Sequence, residues 1–250
     1  MTHTHNFPFL PAALAAGTAG AALRFLLYRF GPDDRGLLPL FHPLHLLCLA
    51  LALGLAMILF IGLKKHPLDK ATAGMPFTPL ALPVLLAALG LLLSCGLRLL
   101  EDMPMIDGRP DVLRIALPFL FAVCFLALVI LALLGKRPHY LVYTILCAGF
   151  LLDMLVRYRD WSGTPQIPNY CFQVGANIFL TLSAYFRTAL DTGIDSEGKC
   201  RFCNCMALCL CLMSAVGPDS QGFYLGCGCW MLAELAARRS RTEVMDPTAE

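Results

Sequence analysis

Eight stretches of this chain carry no Asp, Glu, Lys or Arg, and their lengths decide what it can fold into. They run from Met1 to Leu23, Gly36 to Leu63, Ala71 to Leu97, Ile115 to Gly135, Pro138 to Leu152, Trp161 to Phe186, Phe202 to Pro218 and Ser220 to Ala233. A charge near the centre of a bilayer costs roughly 2.5 to 3.5 kcal/mol, and a helix needs ~20 apolar residues to cross the hydrocarbon layer. Charge-free runs of this length, separated by short polar segments, mark a chain that crosses a membrane several times. Composition agrees, because 58% hydrophobic residues against 14% charged ones leave too little polar surface to wrap a water-soluble core.

The expected fold is an all-α, polytopic integral membrane helix bundle of about eight transmembrane helices, one domain over 1–250 with no soluble domain. The helices are expected near 8–30, 42–63, 77–99, 113–135, 138–158, 169–190, 201–216 and 221–238. The second, third, fourth and sixth stretches are long enough to span unaided. The first is rich in Ala, the fifth has to continue past Asp153, and the last two are short, which leaves a shallow or re-entrant hairpin open there. On the first helix, Ala13, Gly17, Gly20, Arg24 and Tyr28 fall on one face. Small residues at that spacing let another helix approach closely and would turn Arg24 into the bundle.

Eight crossings put every lysine, with Arg137, Arg187, Arg201, Arg238, Arg239 and Arg241, on the side of the two termini. Arg24, Arg29, Arg35, Arg98, Arg109, Arg114, Arg157 and Arg159 fall on the other. The excess of basic residues predicts cytoplasmic termini in a multi-pass protein of the cell membrane. Two turns, GPDDRGL at Gly31 and GPDSQGF at Gly217, share a pattern that fits convergent turn chemistry, with a repeated hairpin architecture as the alternative.

Three groups of residues carry the functional expectations. On the sixth helix Asn169, Gln173, Asn177, Thr181 and Thr188 form a polar stripe, and amides or hydroxyls in hydrocarbon need partners from other helices or a wet cavity. Near the outer ends of the odd helices stand Arg24, Arg98 with Glu101 and Asp102, and Asp153 with Arg157. The last two are spaced to pair on one helix face, whereas Arg24 has no acidic residue one turn away. Finally, Cys200, Cys203 and Cys205 lie close together, but no second CxxC or CxxH follows and cysteine in an apolar run behaves as a small hydrophobe. His42 and His45 share a spacing of three residues, yet His42 before Pro43 also reads as an ordinary helix start. No metal and no cofactor is expected.

The motifs of membrane and soluble hydrolases and of phosphate-binding loops are missing, so the chain reads as non-enzymatic. Its net charge of +2 and scattered basic residues exclude nucleic acid as a partner. The expected function is to bind or transport a small polar or anionic solute through an outward-facing intramembrane pocket. Arg24, Tyr28, Arg98, Asp153, Arg157, Gln173 and Asn177 would line it, the arginines neutralising the solute and the amides orienting it. The alternative is a structural or accessory membrane subunit whose polar residues only join helices and whose partners are the lipid bilayer and another membrane protein.

Overall fold

The computed structural model describes residues 9–31, 42–65, 81–101, 105–106, 109–136, 138–162, 170–194, 197–216 and 221–244. Eight helices account for nearly all of them: α1 (Phe9–Phe30), α2 (Pro43–Lys65), α3 (Ala81–Glu101), α4 (Val112–Leu133), α5 (Tyr140–Ser162), α6 (Cys171–Asp191), α7 (Glu197–Ser214) and α8 (Gln221–Val244). Between α3 and α4 lies a minimal antiparallel pairing of Met105–Ile106 with Arg109–Pro110, which the sequence reading did not include. Asp102, Asp107 and Asn169, with residues 32–37 and 217–220 of the two Gly-Pro-Asp turns, lie outside the described residues.

Local chemistry sets the helix ends. Pro43 opens α2, where its missing N–H costs nothing, and His42 Nδ1 accepts from the Leu44 N–H at 3.2 Å. Asp111 caps α4 by accepting from the Arg114 N–H at 3.3 Å. Gly135 (φ 60°) and Gly193 (φ 76°) end α4 and α6 in the left-handed region, and the Lys136 and Ile194 N–H groups reach back to the Leu131 and Ala189 carbonyls.

Five helices, α1 to α5, are long and apolar enough to cross a membrane. Their burial is one-sided. On α2 only Cys48, Ala52, Leu55, Leu59 and Gly62 are buried, a stripe of helical period, while Leu46, Leu53, Met57 and Phe60 point outward. Such a continuous apolar exterior fits lipid rather than water.

The centre belongs to the last two helices. α7 buries 12 of its 18 residues on all sides and packs against α1, α2, α6 and α8. α8 packs against α3 and α7, and its aromatic side chains reach Phe121 and Phe125 of α4 and Phe150 of α5. At 18 and 24 residues, α7 and α8 are roughly 27 and 36 Å long. Polar side chains that lipid would reject, among them Asn204 and Glu234, sit on these inner helices, fully buried.

Neighbour contacts also fix directions. α1 runs parallel to α7, with Phe9 against Cys205 and Arg24 against Met213. α5 runs antiparallel to α6 and α8, pairing Asp153 with Asn177 and Tyr143 with Glu234. The bundle thus has a near end, holding the start of α1 and the end of α8, and a far end opposite.

Candidate functional site

At the far end the fold gathers six of the seven expected residues into two neighbouring networks. The first centres on Arg24, 1% exposed. The small face of α1 brings it inward: Gly17 and Gly20 lie against Leu212 and Met213 of α7. Arg24 Nη1 donates to the Met213 carbonyl at 3.0 Å, in the last turn of α7, where a cation meets the negative end of the helix dipole. Its Nη2 donates to Tyr28 Oη at 2.7 Å, so the partner one turn along is a phenol rather than a carboxylate. The guanidinium also lies over the Phe172 ring, 5.0 Å from its centre.

The second network joins α5, α6 and α8. Arg157 Nε donates to Asp153 Oδ2 at 2.6 Å, the pairing that the spacing predicts. Asn177 Nδ2 donates to the same oxygen at 3.2 Å. Arg157 lies over the rings of Phe223 (4.7 Å) and Tyr224 (5.5 Å). Gln173, also buried, stands between the two networks: its backbone carbonyl accepts from Tyr224 Oη at 3.5 Å, and Phe172 beside it lies under Arg24. Asn177 is 0% exposed, and its Oδ1 has no hydrogen-bond partner among the described residues.

Other expected residues fall elsewhere. Arg98 is exposed on α3, so the fold does not bury it with the rest. Thr181 and Thr188 turn their hydroxyls back onto the Asn177 and Ala184 carbonyls of their own helix, which removes both from the interior stripe as ligand groups. His45 packs edge-on against Phe172. Cys200, Cys203 and Cys205 are buried thiols, and among the described residues no three of His, Cys, Asp and Glu converge as a metal site would require.

A third network, at the near end, escaped the sequence reading. Tyr143 Oη of α5 donates to Glu234 Oε1 of α8 at 2.9 Å. Arg187 of α6 lies 3.9 Å from Glu234 Oε2 and 3.9 Å from Asp191 Oδ1, with its guanidinium over the Tyr143 ring at 5.5 Å. In sequence, Glu234 merely ends a charge-free stretch and Arg187 looks like a loop cation. The missed signal is register. Tyr143 and Asp153, Asn177 and Arg187, Tyr224 and Glu234 are each ten residues apart on α5, α6 and α8. Ten residues of helix rise ~15 Å, so the same three helices carry one polar network at each end.

Between those networks lies an aromatic layer. Phe150 stacks on Phe121 (4.7 Å) and on Trp230 (5.9 Å, rings 13° apart), and Phe125 meets Trp230 edge-on at 5.4 Å. This arrangement holds charges at two levels of the bundle and separates them with packed aromatic rings. Comparison with known protein families, with curated proteins and with solved structures finds no match to this chain.

Proposed function

We propose that this chain is a multi-pass membrane protein of eight crossings, with both termini cytoplasmic, that binds or transports a small polar or anionic solute at its far end, between α1, α5, α6 and α8. The observation that carries the reading is the unclosed polar interior of α6. Asn177 Oδ1 is fully buried and has no hydrogen-bond partner among the described residues. A buried polar atom left unmade costs about 1 to 3 kcal/mol, so a helix serving only as a joint would be expected to close such atoms. A bound solute with an O–H or N–H group satisfies such an oxygen, and the guanidiniums of Arg24 and Arg157, both laid on aromatic faces, favour an anionic or carboxylate group on the same molecule.

Stability of the purified protein in nanodiscs against inorganic phosphate, sulfate, succinate, glutamate and glucose tests this reading. Native-state binding raises the melting temperature saturably. One class should produce that rise in the wild type, and Asn177→Leu should abolish it while leaving a folded protein. Absence of any shift, or an equal shift in the variant, contradicts the reading.

One observation favours the alternative of a structural or accessory subunit. Arg24 bonds the last turn of α7 and Arg157 closes on Asp153, both of which join helices without needing a ligand. Under that alternative Arg24→Ala lowers stability and no solute changes it.

A further inference from the structure

The two ends of the bundle differ in the charges they leave uncovered. At the near end the three carboxylates with described side chains are all engaged by the protein itself. Glu197 bonds Arg201 at 2.9 Å, Asp191 lies 3.9 Å from Arg187, and Glu234 is held by Tyr143 and Arg187. Lys199, though exposed, rests over the Phe186 ring at 5.9 Å. Lys64 and Lys65, which close α2, and Lys136, which follows α4, are exposed and make no ion pair among the described residues. At the far end, by contrast, the exposed Arg98 has an exposed Glu101 within one turn, and Arg159 is closed on Asp111.

Position says what meets these three lysines. Each follows directly on an apolar, exposed face: Phe60 and Ile61 in the turn before Lys64 and Lys65, and Leu133 and Leu134 just before Lys136. A lysine that leaves an apolar helix end in this way lays its stem along the lipid chains and carries its ammonium to the level of the lipid phosphates. The lysines also stand on separate flanks, since α2 packs against α1 and α7 whereas α4 packs against α3 and α5. A small ion cannot bridge them, but a leaflet meets both. An ammonium only donates hydrogen bonds, and juxtamembrane cations are drawn to leaflets of negative surface charge. We propose that Lys64, Lys65 and Lys136 form a basic collar that docks anionic phospholipid headgroups in the leaflet at the near end. The collar lies at the opposite end from the solute site and depends only on the chain crossing a membrane.

Nanodiscs of phosphatidylcholine alone, and of phosphatidylcholine mixed with phosphatidylglycerol, separate headgroup charge from contact with lipid as such. With no solute present, the full chain should melt several degrees higher in the mixed discs, and added salt should shrink that gain, because exposed charges are screened. The triple variant Lys64→Gln, Lys65→Gln, Lys136→Gln should melt like the wild type in phosphatidylcholine and lose most of the gain in the mixed discs. Arginine at the same three positions keeps the charge and should keep the gain. Native mass spectrometry of protein released from mixed discs gives a second reading that does not depend on the variant's stability: the wild type should retain phosphatidylglycerol several-fold better than the glutamine variant. No gain in the mixed discs, a gain that survives in the glutamine variant, or equal retention of phosphatidylglycerol by the two proteins overturns the collar. So does a rise with inorganic phosphate in phosphatidylcholine discs that the glutamine variant loses, since that marks a site for a free anion. The two readings fail separately: because no solute enters the comparison of lipids, its failure leaves the far-end site standing, and a solute panel without effect leaves the collar standing.

Discussion

Arg157 shows how a guanidinium is kept inside an apolar bundle. Its Nε bonds Asp153, its face lies on Phe223, and Asn177 steadies the carboxylate from the next helix. Asp153→Asn leaves that cation without its counter-charge, and breaking a buried pair from one side typically costs about 3 to 5 kcal/mol. The double variant Asp153→Asn with Arg157→Gln should recover part of the loss, because the two residues act as a unit; losses that simply add in a denaturation series would show the pair to be uncoupled. This pair was legible in the sequence because a spacing of four residues on one helix is local information. The link from Asp153 to Asn177 was not, since nothing in the sequence states which faces of α5 and α6 meet. Arg24 illustrates a subtler loss. Tyr28 is one turn away and in plain view, but opposite charge is not the only partner a guanidinium can take, and a phenol oxygen also accepts a hydrogen bond from it.

Helix α1 owes its place to residues without side chains. A Cβ built on Gly17 would lie 2.7 Å from Leu212 Cδ1 and 3.1 Å from the Cys209 Cα, and the second of these is backbone that cannot swing aside. Gly17→Leu is therefore expected to destabilise the protein by about 1 to 3 kcal/mol through overpacking. Gly54→Ala on α2 and Gly90→Ala on α3, where nothing lies within 4 Å, should be neutral or slightly stabilising, since Ala is the better helix former. Equal losses at all three positions in thermal melts would deny the close approach of α1 and α7. The small-residue face was readable from helical periodicity alone, and burial of Ala13, Gly17, Gly20 and Arg24 follows it. Its partner was not readable, because α7 lies nearly two hundred residues downstream and any helix with a modest groove would have served equally well on paper. The stripe on α6 carried a similar ambiguity: Gln173 and Asn177 turn inward to other helices, whereas Thr181 and Thr188 satisfy themselves on their own backbone.

At the scale of the whole molecule, the helix buried on the most sides, α7, is not among the most apolar ones. The five helices apolar enough to span by composition expose broad hydrophobic faces, while α7 is buried on every side and α8 carries Glu234 at 3% exposure. By composition neither α7 nor α8 ranks with the five apolar helices, because hydropathy rewards an apolar exterior and these two pack against other helices instead. Eight charge-poor stretches therefore announced the helices, but their lengths misdirected attention from the two that form the centre. If α7 and α8 are the core of an eight-crossing bundle, the segment joining them lies across the membrane from both termini. Epitope tags at the N-terminus, at the C-terminus and between residues 216 and 221, tested for antibody access in sealed vesicles of one orientation, decide this directly. The account predicts that the two terminal tags share one side and the inserted tag is reached only from the other; all three tags on one side would make α7 and α8 a re-entrant hairpin and contradict it.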